Sequence, residues 1–254
     1  FEKIIRGVGN FKNNLKILRF CGTGENLLNK QFPDMLKMAR KSKKIEHIDL
    51  ITNGLLINES NIEILASNLD RIIISLEGLD EKEYKNIALR NIDFKKFRKN
   101  LEIFYKYKNR NVKIHIKIHS SAIKSIEDKD TFYKEFSTLA DEVYIENIVN
   151  LWPEIESNLG IKTGHRFDSG ELNEVKVCPQ IFKSMQVNSN GIVIPCCIDF
   201  KAINKIGNLN NEKLENIWRG ELLKTLRNKH LQGKRNEFSP CKGCTMNEYA
   251  DKDN

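Results

Sequence analysis

The sequence predicts an α/β fold with parallel strands, followed by a small module built on a β-hairpin. Three observations carry this. Five short β-branched or apolar runs alternate with amphipathic helical stretches over roughly the first 150 residues. That alternation stops near Trp152, where Pro153 and three glycines open a loop-like segment. Five of the six cysteines then fall in the last third of the chain.

The runs are LKILRF (15–20), HIDLI (47–51), RIIISL (71–76), VKIHIKI (112–118) and EVYIEN (142–147). Between them lie the amphipathic stretches QFPDMLKMARK, NESNIEILASNL, DFKKFRKNLEIFYKYK and DTFYKEFSTLAD. Asn58, ahead of the second stretch, and Asp80, ahead of EKEYKNI, have the short polar side chains that accept from helix N-terminal N–H groups. Strand–helix alternation implies parallel strands joined by right-handed crossovers. Five such units form either an open doubly wound sheet or part of a (β/α) barrel, and in both the ligands gather at the C-terminal strand ends. In SMQVNSNGIVIPCC, residues 185–188 and 192–194 read as two strands of a hairpin with Asn190-Gly191 at the turn. Helical patterns follow around EKLENIWRG and ELLKTLRNKHLQG, and a polar loop carries CKGC. The boundaries drawn are 1–150 for the barrel-like domain, 151–177 for a linker and 178–254 for the cysteine module.

A chain of 254 residues has room for one large domain or a medium one with an appendage. Its 40% hydrophobic and 30% charged residues are ordinary for a soluble protein. No apolar run approaches the roughly 20 residues of a membrane span, so no membrane role is expected. The net charge of +8 is spread along every helical stretch, as in RKSKKIEHIDL, with lysines interleaved with carboxylates. No compact basic stripe with aromatics appears, so a nucleic-acid partner is not expected. The first residues, FEKIIRGVGN, read as part of a helix and not as an export signal. With a long cysteine-poor region ahead of the thiols, reduced, metal-binding cysteines in the cytoplasm are the expectation.

The run at 15–20 ends abruptly in CGTGEN. Gly22 and Gly24 carry no side chain to hold a ligand off, so backbone groups are brought close to it. Glu25 follows where a phosphate loop would place Lys or Ser. A carboxylate beside glycine carbonyls suits a ligand that donates, such as an ammonium.

In the tail the spacing is Cys178-x12-Gly191-x4-Cys196-Cys197, a long gap, then Cys241-x2-Cys244. A hairpin with a cysteine at each base and a CxxC turn can bring four thiolates together. Such a set closes either a tetrahedral zinc site or an iron–sulfur cubane. Strand alternation would point Cys196 and Cys197 apart, and Cys196 is taken as the ligand with Cys178, Cys241 and Cys244. Cys21 reads as a small core residue.

The whole tail, from CPQIFKSMQVNSNGIVIPCCIDF through KIGNLNNEKLENIW to CKGC, resembles the SPASM/twitch region of radical S-adenosylmethionine (SAM) enzymes, whose pattern is Cys-x9–15-Gly-x4-Cys followed by further cysteines. A full SPASM domain continues with three more cysteines. Ala250 and the residues after it supply none, so the resemblance is to the shorter twitch type with one auxiliary 4Fe–4S cluster. By the same resemblance CGTGEN is similar to the family's GGEP motif, which holds the SAM amino group. Asn26 stands where that motif has Pro. The resemblance implies a partial (β/α)6 TIM-like barrel lacking its first strand. It also implies SAM contacts from Gly22, Thr23, Gly24 and Glu25, from Asn53 in ITNGLLIN, from Ser75 in ISLEG and from Lys117. His115 and His119, which alternate with Lys117, are read as structural.

The family binds its catalytic 4Fe–4S cluster through a CxxxCxxC loop, and this sequence contains no such motif. The resemblance starts at the first helix, FEKII, so the first strand and the cluster loop are expected upstream of this chain. As it stands, the chain is not expected to cleave SAM. The resemblance further implies a reducing partner such as flavodoxin or ferredoxin, and hydrogen abstraction from a substrate. The short tail is most similar to that of aminocyclitol dehydrogenases, which makes oxidation of a sugar-like alcohol the first expectation. Epimerisation, a peptide substrate, or a degenerate metal-binding scaffold are the alternatives. Glu146 and Trp152, past the last strand, are candidates for the substrate pocket.

Overall fold

The computed structural model describes residues 1–108, 111–148, 176–242, 244 and 246. Trp152, Ala250 and the linker positions 151–175 lie outside the described residues. The chain divides into two compact units, residues 13–146 and residues 1–12 together with 147–254.

The first unit is a five-stranded parallel sheet of β1 (Leu15–Phe20), β2 (Ile45–Thr52), β3 (Arg71–Leu76), β4 (Lys113–His119) and β5 (Glu142–Glu146). The strands lie side by side in sequence order. A doubly wound sheet needs a reversal of order, whereas an unbroken succession is that of a (β/α) barrel wall. The choice left open by the residue pattern is thus settled in favour of the partial barrel. Its crossovers are α2 (Phe32–Lys41), α3 (Ile62–Asn68), α4 (Glu81–Ile87), α5 (Phe94–Tyr107) and α6 (Ile126–Phe136).

The two faces of the sheet differ in kind. On one, Ile48, Leu50, Ile72, Ile74, Leu76, Ile114, Ile116 and Ile118 are all 0–1% exposed. A fully buried side chain of this size contributes about 1.5–3 kcal/mol, and this face carries the core. Gly54, at a φ of +74°, lies against it. A Cβ there would come within 2.8 Å of Ile74 and 3.3 Å of Phe97 on α5. The other face reads Arg19–Asp49–Arg71 on one row, Ile73–His115–Glu142 on the next and Ser75–Lys117–Tyr144 above them. Asp49 is 2% exposed and takes Arg19 at 3.0 Å and Arg71 at 2.5 Å. One carboxylate thereby ties three strands together at the N-terminal side of this face.

The starts of α4, α5 and α6 follow local capping chemistry. Asp80 accepts from Glu83 N–H at 2.7 Å and Asp93 from Lys96 N–H at 2.8 Å. Ser125 and Asp128 form a reciprocal capping box that starts α6 at Ile126, four residues ahead of the stretch read from the pattern. Asn58 is a correction. Its side chain accepts from Ser60 N–H at 2.9 Å in a local turn, and the cap position falls to Asn61.

The second unit contains α1 (Glu2–Gly9), α7 (Gln180–Lys183), the strands β6 (Gln186–Val187), β7 (Ile192–Ile194) and β8 (Gly207–Asn208), and the helices α8 (Leu214–Trp218) and α9 (Glu221–Leu231). β6 and β7 are an antiparallel pair, and β8 adds to β7. Gly191 turns the hairpin at a φ of +86°. Helix α1, placed with the barrel when the chain is divided at residue 150, packs on α8. A Cβ at Gly7 would lie 2.6 Å from Leu214 Cβ, and Asn10 donates to Glu215 at 3.0 Å. Among the described residues no helix is long and apolar enough to cross a membrane.

Candidate cofactor and metal sites

The first site stands at the C-terminal ends of β1 and β2. Gly22, at a φ of +148°, and Gly24 have open space where a Cβ would be, and residues 21–24 are exposed, so Cys21 is not the core residue expected from the sequence. Beyond them Glu25 is held from three directions. Its Oε1 accepts from Leu27 N–H at 3.1 Å and from the Thr52 hydroxyl at 2.9 Å, and its Oε2 accepts from Asn53 N–H at 3.0 Å. Thr52 Oγ1 accepts in turn from Gly54 N–H at 3.0 Å, and Asn53 Oδ1 accepts from Leu55 N–H, also at 3.0 Å. A carboxylate has about four acceptor positions. Three are used to lock two strand ends together, and the remaining one, on Oε2, is available to a donor. The glycine loop and Asn53 are therefore brought to one place by Glu25 itself.

Ser75 and Lys117 are direct neighbours in register on β3 and β4, and Tyr144 on β5 continues the row. Lys117 Nζ donates to Glu146 Oε2, with both side chains mostly buried. Its ammonium retains two further donors. His115 faces Glu142 at 3.1 Å and is held below its ordinary range, chiefly by burial. His119 Nδ1 meets Ser121 Oγ at 2.6 Å. Glu146, read from the sequence as past the last strand, is instead the final residue of β5, and its pairing with Lys117 is a cross-strand contact that needs the register to be known.

The second site is in the tail. Cys178, Cys196, Cys241 and Cys244 line one cavity together with Asp199, His230 and Arg235. Burial pushes the Cys178 thiol up and takes Cys241 to about 11, with the neighbouring thiols adding to both shifts. Cys196 is also raised, first by its hydrogen bond with Cys197 and then by burial. Backbone N–H groups nevertheless point at three sulfurs: Gln180 toward Cys178, Ile198 toward Cys196, and Met246 toward Cys244 at 3.4 Å. The reason given for choosing Cys196 over Cys197 needs correcting. β7 ends at Ile194, so the two cysteines lie in a turn and not on alternating strand faces. What separates them is location, since Cys196 lines the cavity and Cys197 is exposed.

Four thiols in one cavity, three of them (Cys178, Cys196 and Cys241) pushed toward the protonated form, fit a group that demands thiolates and supplies positive charge to hold them. Four cysteine ligands can serve a tetrahedral zinc or a 4Fe–4S cubane. In a cubane each thiolate binds a different iron, and the N–H groups directed at sulfur suit such a cluster. The cavity fits a 4Fe–4S cluster.

Arg235 and His230 were not singled out by sequence reasoning. Arg235 donates to the Cys244 carbonyl at 2.9 Å and left no signal in the pattern. His230 did leave one, since it occupies the buried stripe of α9 with Leu223 and Leu226.

Comparison with known proteins bears on both sites. Residues 1–121 match the radical SAM superfamily, and residues 178–245 match the SPASM iron–sulfur cluster-binding domain. A GTP 3′,8-cyclase of Chlorobaculum tepidum is 20% identical over 247 residues, covering 85% of this chain and 74% of that protein. A probable GTP 3′,8-cyclase of Methanococcus aeolicus is 33% identical over 75 residues, which is 29% of this chain and 25% of that relative. The crystal structure of BtrN in complex with AdoMet and 2-DOIA superposes with a TM-score of 0.59 at 17% identity, covering 98% of this chain and 82% of that one. Native anSMEcpe with bound AdoMet and Kp18Cys peptide does so with a TM-score of 0.65 at 17% identity, covering 100% and 82%. At these identities the structural likeness is one of fold. The two matches together support a radical SAM enzyme, of a superfamily whose cofactors are S-adenosylmethionine and 4Fe–4S clusters, with a C-terminal SPASM iron–sulfur cluster-binding domain.

Proposed function

We propose that this chain forms the barrel wall and auxiliary-cluster domain of an enzyme that oxidises a sugar-like or aminocyclitol alcohol by two electrons. SAM, cleaved by a reduced cluster on the family's CxxxCxxC loop, supplies a 5′-deoxyadenosyl radical able to abstract a carbon-bound hydrogen atom. Gly22, Thr23 and Gly24 offer carbonyls to the SAM ammonium, and Glu25 Oε2 offers its remaining lone pair. Asn53 and Ser75 present polar groups toward the same cofactor. Lys117, with two donors left after Glu146, suits the SAM carboxylate.

The observation that carries the reading is the Lys117–Glu146 pair on a face rowed with ionisable groups. A polar, hydroxylated substrate matches such a face better than an apolar one would. Glu146 is placed as the base for the hydroxyl proton. The balance is that a secondary alcohol loses its carbon-bound hydrogen to the deoxyadenosyl carbon and its hydroxyl proton to Glu146. The electron then left on the substrate would pass to the bound tail cluster, offsetting the one that cleaved SAM, so that the alcohol becomes a ketone and SAM, the net two-electron oxidant, ends as methionine and 5′-deoxyadenosine. The four-cysteine tail supports an oxidative outcome, and BtrN, crystallised with AdoMet and 2-DOIA, shares the fold. A flavodoxin or ferredoxin is the proposed reductant.

The test is the reaction in deuterated water, with the CxxxCxxC segment present and with aminocyclitols, sugars and serine- or cysteine-containing peptides as candidates. A small-molecule product lighter by two hydrogens, with one 5′-deoxyadenosine formed per product, supports the proposal. An unchanged composition carrying one solvent deuterium would make the enzyme an epimerase, and turnover of peptides alone would make it a maturase.

A further inference from the structure

His230 is placed where the period of α9 calls for an apolar side chain, one turn beyond Leu226 and two beyond Leu223. It is 1% exposed, and neither ring nitrogen has a hydrogen-bond partner. Leaving buried polar atoms unmet carries a desolvation penalty that leucine at the same place would not. The other polar groups of the cavity lining do not relieve it. Asp199 accepts from Ile203 N–H at 2.8 Å and Asn204 N–H at 2.7 Å, and Arg235 donates to the Cys244 carbonyl. The imidazole is left bordering the space lined by Cys178, Cys196, Cys241 and Cys244. Whatever fills that space has to supply its partner.

A 4Fe–4S cluster brings thiolate and sulfide sulfurs, all of them acceptors. We propose that a ring N–H of His230 donates to a sulfur of the tail cluster and thereby raises the cluster's reduction potential. The inference rests on the reading of the four cysteines as a cluster site. Donation to sulfur stabilises the reduced state more than the oxidised one, because reduction adds negative charge to the sulfurs. Burial, and then the nearby Arg235, hold His230 below the ordinary imidazole range. A neutral imidazole still keeps one N–H and an imidazolium keeps two, so a donor is present in either state.

The experiment uses the 254-residue chain, reconstituted anaerobically with ferrous iron and sulfide and carrying isotopically labelled histidine. Pulsed EPR of the reduced cluster should find a weak histidine-nitrogen coupling and a coupled exchangeable proton. In His230→Phe, iron and sulfide should stay at the unsubstituted level, both couplings should vanish and the midpoint potential should fall. His230→Gln, which retains a side-chain N–H, should recover part of that fall. A cluster without histidine coupling, a strong nitrogen coupling of the kind a direct iron ligand gives, or an unchanged potential in His230→Phe would overturn the inference. The labelled, unsubstituted chain decides the matter even where the Phe variant fails to fold. Iron or zinc taken up without sulfide would instead sink the cluster reading, a different failure from a cluster that ignores His230.

Discussion

The strand-end loop around Glu25 and the cysteine cavity of the tail are both built from polar groups, yet they are finished to different degrees. Glu25 has three of about four acceptor positions filled by Leu27, Thr52 and Asn53, and its surroundings hold their shape through hydrogen bonds of their own. The cavity is the opposite. Its thiols are pushed toward the neutral form and His230 has no partner for either nitrogen. The first arrangement can receive and release a ligand without rebuilding itself. The second is completed only by a group that becomes part of the fold. Under the proposed reaction, a cofactor consumed at every turnover and a cluster that stays resident call for these two designs.

The largest effect should come from the cavity. Replacing Cys178, Cys196, Cys241 or Cys244 singly by Ala should remove most of the bound iron and sulfide, because a cubane one ligand short is labile. Cys21→Ala and Cys197→Ala should keep both. Iron retained in Cys241→Ala, or lost in Cys21→Ala, would break the contrast with the loop.

At the loop the effect should be graded. Glu25→Gln turns one acceptor oxygen into a donor facing Thr52 or Asn53 and removes the charge proposed to meet the SAM ammonium. SAM affinity should fall roughly ten- to a hundredfold, corresponding to about 1.5–3 kcal/mol, while Thr23→Ser changes it little. Calorimetry showing equal affinities would assign the loop to another ligand. Asp49→Asn should leave SAM affinity unchanged and cost about 1–3 kcal/mol in urea unfolding, because two partly exposed guanidinium groups lose their shared carboxylate. A loss of SAM binding there would mean that the two ends of this face are coupled.

The smallest effect is one of pH. Burial keeps protons on Cys178 and Cys241 to higher pH in the folded chain than in the unfolded one. Above about pH 8.5 the unfolded chain therefore binds fewer protons, and the metal-free chain should lose stability as pH rises toward 11, the value to which Cys241 is pushed. Below that window the contribution is present in full. The reconstituted chain, whose cysteines are already deprotonated, should show no such slope in denaturant titrations between the two pH values.

What could be read from residues alone was whatever a local period or a short spacing encodes. Ile114, Ile116 and Ile118 alternate with Lys113, His115, Lys117 and His119 because one face of β4 is buried, and that alternation marks the strand in the sequence, whereas β3, with Ile73 between Ile72 and Ile74, is marked by its β-branched run. CxxC and the hairpin cysteines are legible because tight turns bring sulfurs together whatever surrounds them. Asn58 misled because its side chain serves a turn just as well as a cap. β8, at Gly207–Asn208, has no pattern of its own and exists only because β7 offers it an edge. Lys117 with Glu146, and Arg235 with the Cys244 loop, are contacts made by register and tertiary packing, which no local spacing records. His230 stood in plain view on an apolar stripe, and what the pattern could not supply was that both its nitrogens would be left unmet.

The most direct test of the central contrast is the content of the cavity in the unsubstituted chain. After anaerobic reconstitution and desalting, iron and acid-labile sulfide are measured per chain, together with zinc. The account predicts about four irons and four sulfides, the composition of one 4Fe–4S cluster, with zinc absent. One zinc per chain and no sulfide would contradict it and leave the tail as a structural metal site.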